Sequence, residues 1–255
     1  MSAIQTIGLT KRYGATLAVD RLDLAVPAGE LFCFLGPNGA GKTTTIKMLV
    51  GLARPTEGVA SIGGFDVQRQ PLEAKRLLGY IPDMPHLYDK LTGREMLRLV
   101  AGLYRMPAAA AAELIPQQLE LFEIAHVADR PIEGYSHGMR QKLSFAACFL
   151  HQPSVVVIDE PWVGLDPQSI RRIRDDLRRR AREGLTVLLS THSLALAEQL
   201  ADRVGILHRG RMLAVGTLDE IRGHAGGGAS LEDVFLVLTS SEDDPAAPPL
   251  TRENP

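Results

Sequence analysis

Between two apolar runs, the chain carries Gly36-Pro37-Asn38-Gly39-Ala40-Gly41-Lys42-Thr43. This matches G-x-x-x-x-G-K-[ST] at Gly36, Gly41, Lys42 and Thr43, a pattern that requires a strand before it and a helix after it. Leu31-Phe32-Cys33-Phe34-Leu35 reads as a short buried strand. Thr44–Leu52 places Ile46, Leu49 and Val50 at helical spacing, so it reads as a helix. Glycines let the backbone fold back with its N–H groups pointing inward. The result is a nest for anionic oxygens at a helix N-terminus, where the helix dipole also favours negative charge. In that pattern Lys42 can reach the β- and γ-phosphates of a nucleotide, and the Thr43 hydroxyl can ligate Mg²⁺.

The rest of the chain supplies strands and helices in alternation. Val155–Ile158 and Thr186–Ser190 read as strands, and Arg94–Met106, Met139–Leu150 and Ile170–Arg182 as helices. Strands fed by crossover helices imply an α/β fold with a parallel core sheet. Arg203–Leu207 and Met212–Val215 flank the turn His208–Arg211 and read as a hairpin. Thr92 and Glu95 form a capping box, a structural feature. Gly226-Gly227-Gly228 reads as a flexible joint before a short helix from Leu231. The acidic, Pro-rich end of the chain is expected to be disordered.

In Val155-Val156-Val157-Ile158-Asp159-Glu160 a buried strand ends on two carboxylates. Ligands of open parallel sheets bind outside those strand ends. Asp159 is therefore a candidate for the Mg²⁺ shell and Glu160 for polarising a water that attacks the γ-phosphate. In Tyr135-Ser136-His137-Gly138-Met139, Ser136 is a good N-cap, with Met139, Leu143, Ala147 and Leu150 as the apolar stripe behind it. Ser136 and Gly138 also leave that helix N-terminus open as a second anion site. A second copy of the chain could bring it to the phosphate held by Lys42.

From Tyr13 through Thr239 the sequence resembles the nucleotide-binding subunits of ABC (ATP-binding cassette) transporters. GPNGAGKTT matches their Walker A loop, YSHGMRQK stands at the signature, and VVVIDEP matches Walker B. GLDP (Gly164–Pro167) matches the D-loop, and STH ends at His192, the switch histidine. The resemblance implies a P-loop NTPase core with a mainly parallel sheet, an N-terminal antiparallel β part and a helical signature subdomain. Its ATPase domain would cover 1–222, with the helical subdomain at about 84–150. A joint and short helix would cover 223–239, and a disordered tail 240–255. It also implies ATP contacts from Tyr13, Gly36, Asn38, Gly39, Gly41, Lys42, Thr43, Thr44, Asp83, Ser136, Gly138 and Asp159. Mg²⁺ would lie at Thr43, Asp83 and Asp159, with Glu160, His192 and Lys42 catalytic.

Three stretches depart from the family pattern. His137 and Met139 replace a glycine and a glutamine of the signature, Asp83 stands where glutamine or glutamate is usual, and Trp162-Val163 precede the D-loop. The expected assembly is a head-to-tail homodimer with two sandwiched ATP molecules. Separate integral membrane permease subunits, of an export-type branch, are the expected partners. The chain itself is expected to be soluble and peripheral, on the cytoplasmic face of the cell membrane. A soluble mechanical ATPase acting on ribosomes or nucleic acid is the alternative. A small-molecule kinase needs neither the signature nor the switch histidine.

Composition adds exclusions. The 255 residues carry a formal net charge of −2, which gives no general attraction to nucleic acid. The Arg-rich stretch Arg171–Arg182 reads instead as a solvated helix face, with Asp175 and Asp176 pairing at i+4 with Arg179 and Arg180 and an inner stripe of Ile170, Ile173 and Leu177. Cys33 and Cys148 lie far apart in apolar surroundings and read as buried thiols in a reducing compartment. His151, His208 and His224 are scattered and suggest no metal site.

Overall fold

A computed structural model describes residues 2–223 and 230–241. The expected joint at Gly226–Gly228 and the stretch 242–255 lie outside the described residues. The chain opens with two long strands, β1 (Ser2–Tyr13) and β2 (Thr16–Pro27), followed by β3 (Leu31–Leu35), α1 (Lys42–Leu49), β4 (Glu57–Ile62) and β5 (Phe65–Asp66). Next come α2 (Pro71–Leu77), β6 (Leu78–Ile81), and three helices, α3 (Gly93–Leu103), α4 (Ala108–Leu121) and α5 (His137–Leu150). The chain then alternates through β7 (Val155–Asp159), α6 (Pro167–Arg182), β8 (Thr186–Thr191) and α7 (Leu194–Leu200). It ends with β9 (Arg203–His208), β10 (Arg211–Thr217), α8 (Leu218–Gly223) and α9 (Leu231–Ser241).

Two sheets result. One is antiparallel, in the order β2-β1-β4-β5. The other runs β10-β9-β3-β8-β7-β6, parallel throughout except for the β9–β10 hairpin. β3, β7 and β8 are buried at every position, which is why they read as unbroken apolar runs rather than alternating ones. Alternation still sorts their side chains. Leu31, Cys33 and Leu35 join the core under α3–α6, while Phe32 and Phe34 join the core under α1 and the antiparallel sheet. The parallel sheet is thus clamped between two apolar layers, and the ends of β3, β7 and β8 converge on one rim.

The three helices between β6 and β7 pack around Phe122, Phe145 and Phe149, whose rings stack with centroids 5.8–6.5 Å apart. Arg180 of α6 lies 4.2 Å over the Phe149 ring, which ties this helical layer to the core. The Thr92–Glu95 capping box is present at the start of α3. The expected helix Arg94–Met106 stops at Leu103, because Arg105 adopts a positive φ of 54° and Met106 precedes Pro107. The helix expected over Thr44–Leu52 starts at Lys42 and ends at Leu49. Gly41 caps it in a left-handed conformation, and Gly51 turns the chain with φ 75°.

On α6 the inner stripe holds, with Ile173 and Leu177 buried and Ile170 partly so. One pairing differs from expectation. Asp176 takes both Arg179 and Arg180, at 2.6 Å each, and Arg179 reaches on to Glu183. Asp175 faces Arg171 and Arg174 instead of Arg179. The helix turns by about 100° per residue, so neighbours at i+3 and i+4 compete for one guanidinium. Cys33 and Cys148 are free and buried, and burial pushes both thiols up, Cys148 to about 12. Both are therefore inert as nucleophiles at neutral pH.

Candidate functional site

The loop between β3 and α1 is shaped by close backbone approaches. A Cβ on Gly36 would stand 2.4 Å from the Leu207 carbonyl oxygen, so only glycine fits. Gly41, at φ 104°, has the Ala18 carbonyl oxygen 2.7 Å from where its Cβ would be. Gly210, in the β9–β10 turn, donates its N–H to the Ala40 carbonyl at 2.9 Å. β2 and the β9–β10 hairpin thus buttress the loop from outside, and α1 starts directly beneath it.

Lys42 is 5% exposed. Its ammonium donates to the Gly36 carbonyl at 2.7 Å and the Pro37 carbonyl at 3.2 Å, and stands 3.5 Å from Glu160 Oε1. The other Glu160 oxygen is hydrogen-bonded to His192 Nδ1. Glu160 therefore bridges the lysine under the loop and the histidine just beyond β8. It does so from a left-handed backbone at φ 46°, immediately before Pro161. That conformation costs about 1–3 kcal/mol for a side-chain-bearing residue and persists only where surrounding structure imposes it. Here the Glu160 N–H donates to the Ser190 carbonyl at 3.3 Å, anchoring the turn to β8.

Asp159 is fully buried at the end of β7. The Ser190 hydroxyl donates to its Oδ1, while Oδ2 is buried without a well-aligned hydrogen bond, although the Thr43 hydroxyl is close enough to act on the carboxyl. Burial pushes its carboxyl above the usual range, against the pull of the Ser190 and Thr43 hydroxyls, and the Asp83 and Glu160 charges add to the rise. Asp83 comes close because β6 runs beside β7 with Ile81 opposite Ile158, so the two strand ends open on the same rim. The Asp83 carboxylate is exposed and accepts the Met84 N–H at 2.8 Å. Tyr80, one strand position before Ile81, is pushed up to about 12 by burial and by the Asp159 and Asp83 charges.

Fold contacts thus bring together the 36–44 loop and helix start, Asp159, Glu160 and His192, with Asp83 beside them. Tyr13 stands half exposed at the end of β1, with the Lys11 ammonium 4.8 Å from its ring centroid. Ser136 caps α5 by accepting the Met139 N–H at 3.2 Å. Among the described residues, no hydrogen bond or ion pair ties Ser136 or Gly138 to the Lys42 cluster. The start of α5 is also less open than the sequence suggests, since a Cβ on Gly138 would lie 2.5 Å from the Gly164 carbonyl oxygen. Sequence reasoning gave no role to Ser190. Its signal was a hydroxyl ending the apolar run Val187-Leu188-Leu189, at the strand position facing Asp159.

A buried lysine under a glycine loop, a buried aspartate oxygen and a glutamate–histidine bridge form a phosphate-handling rim. The family model described as "ABC transporter" matches residues 19–163, more than half of the chain. The chain belongs to the ABC transporter family. It is an ATP-binding, ATP-hydrolysing subunit of that family. It is 41% identical over 224 residues to the daunorubicin/doxorubicin resistance ATP-binding protein DrrA of Streptomyces peucetius, covering 88% of this chain and 68% of the relative. It is 38% identical over 223 residues to the bacitracin transport ATP-binding protein BcrA of Bacillus licheniformis, covering 86% and 71%. A solved structure titled "Structure of ATP binding subunit of ABC transporter" superposes with a TM-score of 0.88 at 37% identity, covering 93% of this chain and 99% of that one. These relatives are transporter subunits, so the reading as a soluble ATPase acting on ribosomes or nucleic acid is set aside.

Proposed function

We propose that this subunit drives export of amphiphilic compounds through separate membrane permease chains, as a head-to-tail homodimer that closes on two ATP molecules. The observation that carries the ATP-driven part of this reading is the Glu160 bridge between Lys42 and His192. Those three groups define where a γ-phosphate and its attacking water would sit. Lys42 would hold the β- and γ-phosphates, with the N–H groups of the 36–44 segment, including Asn38, Gly39 and Thr44, closing round them. Glu160 would accept the proton of the attacking water, and His192 would hold Glu160 and orient the γ-phosphate. Tyr13 would stack on the adenine. Ser136 and Gly138 would meet the phosphate of the partner copy.

Magnesium suits this donor set. Thr43 offers a hydroxyl and Asp159 a buried oxygen without a well-aligned hydrogen bond, both hard oxygen donors. Among the described residues, no three His, Cys, Asp or Glu side chains cluster as a metal cage. When bound, magnesium would neutralise phosphate charge and draw Asp159 towards its ionised form. Asp83, one methylene shorter than glutamate, would reach it through a bridging water.

No described helix is long and apolar enough to cross a membrane. A permease would dock on the loop after β6 and on α3, a reading supported by the exposed Met84, Tyr88, Leu99 and Leu103. Docked there, the subunit would sit peripherally on the cytoplasmic face of the membrane. The export reading draws on the names of these relatives, DrrA being a daunorubicin/doxorubicin resistance protein and BcrA a bacitracin transport protein. The ATPase domain is taken as 1–222 with its helical subdomain at about 84–150, and α9 as a short helix beyond it.

Affinity purification from detergent-solubilised membranes tests the reading. An integral membrane polypeptide should co-purify and stimulate ATP hydrolysis once both are returned to lipid. Asp83→Asn should keep wild-type ATP affinity and lose most of that stimulation. If no membrane protein is retained, the transport role fails. If Asp83→Asn keeps full stimulation, Asp83 has no part in coupling.

The dimer is tested separately. Ser136→Arg and Lys42→Ala, mixed, put both lesions in one composite site and leave the other intact. ATP-dependent dimerisation should return in the mixture and be absent from either pure variant. No recovery between two folded variants would mean that each site is built within one chain.

A further inference from the structure

The stretch from Glu160 to Asp166 joins the catalytic rim to the start of α5, and its contacts there are specific. Gly164 has φ 79°, and a Cβ on it would stand 2.3 Å from His137 Cδ2 and 3.1 Å from His137 Cγ. The His137 ring therefore rests directly on the Gly164 backbone. The next residue, Gly138, faces the Gly164 carbonyl oxygen. One turn further along α5, the Lys142 ammonium stands 4.0 Å from Asp166 Oδ2. Asp166 in turn caps α6 by accepting the Ser169 N–H at 2.9 Å.

The link between Glu160 and Gly164 is short and stiff. It starts at a strained left-handed residue, continues through Pro161, and closes as a turn in which the Leu165 N–H donates to the Trp162 carbonyl at 3.3 Å. Displacing Glu160 has few ways to be absorbed before it reaches Gly164. A glycine at 137 would leave the surface of Gly164 uncovered. The imidazole fills that space beside Ser136.

We propose that His137 is a positioning residue that acts through Gly164, passing the state of Glu160 in one ATP site to the Ser136 and Gly138 face that completes the other. This rests on the composite-site reading above. Within one chain, Glu160 serves its own nucleotide while Ser136 serves the partner's, so a rigid contact between them couples the two sites. The contact works by shape, through ring packing on a glycine backbone. An amide of similar reach should therefore replace it, and a methyl group should not.

Steady-state hydrolysis across an ATP titration tests this in the full-length chain, using wild type, His137→Ala and His137→Gln. Alanine is a good helix former at the first position of α5, and the side chain it replaces is exposed. With two coupled sites, the wild-type Hill coefficient should lie between 1 and 2. His137→Ala should bring it to about 1 and lower kcat. Its ATP affinity, measured by equilibrium binding, should stay within about twofold of wild type. His137→Gln should recover most of the cooperativity, which a general loss of fold would not allow. A cooperative wild type with an equally cooperative His137→Ala overturns the proposal alone. A wild type with a Hill coefficient of 1 and no ATP-dependent dimer overturns the composite-site reading, and this proposal with it.

Discussion

Glu160→Gln is expected to bind ATP nearly as wild type does, hydrolyse it ~10²–10⁴ times more slowly, and accumulate as a closed dimer. The amide keeps the size of the carboxylate and can still accept from Lys42 or pair with His192. It cannot take a proton from water. The substitution also removes a negative charge 3.5 Å from Lys42 and beside Asp159. Glu160 contributes to the raised Asp159 pKa, so its neutralisation should make Asp159 easier to ionise. Binding of magnesium nucleotide should therefore be preserved or tightened while turnover collapses. Phosphate release measures the rate, and size-exclusion chromatography in magnesium ATP measures the dimer. Turnover within tenfold of wild type would remove Glu160 from the role of base.

The parts of this site legible in the sequence are those built from contiguous residues. The 36–44 loop is a single segment whose glycines are dictated by local geometry. β7 and β8 are buried on both faces, so their composition announces them. β1 and β2 are harder. Their pairing shifts register between Thr6 and Leu9 and again before Lys11, so bulges break the alternation that would mark them. Only the family resemblance points to the antiparallel sheet. β6 is four residues long and contains Gly79, which is required because a Cβ there would lie 2.5 Å from Cys148 Sγ. α4 hides because its alanine run and internal Pro116 give a weak apolar stripe. The Ser190–Asp159 bond and the His137–Gly164 contact join residues about 30 apart in sequence. The fold creates such pairings, and no local pattern carries them. Ion pairs on α6 were legible as a class but not partner by partner, since neighbouring acids compete for the same arginine.

Lys42→Ala is expected to abolish useful ATP binding rather than slow the chemistry. Two structural consequences add together. The ammonium is buried, donates to two loop carbonyls and stands opposite Glu160. Its loss leaves the Gly36 and Pro37 carbonyls without that donor and places the Glu160 charge facing the phosphate site with no cation between. With nucleotide bound, Lys42 and the phosphates would form a buried, hydrogen-bonded charge pair, and truncating one partner of such a pair typically costs ~2–5 kcal/mol of binding. At about 1.4 kcal/mol per factor of ten, that is roughly 30-fold to several thousandfold in affinity. Part of the effect should be repulsion by Glu160, because the nucleotide would bring its negative charges towards an uncompensated carboxylate. The double variant Lys42→Ala/Glu160→Gln should then bind ATP more tightly than Lys42→Ala alone, although neither hydrolyses it. Equilibrium titration with a fluorescent ATP analogue separates the contributions. An unchanged affinity in Lys42→Ala would show that backbone N–H groups suffice for binding. Equal weakness in the single and double variants would show that the lysine acts on phosphate directly and that Glu160 adds no repulsion.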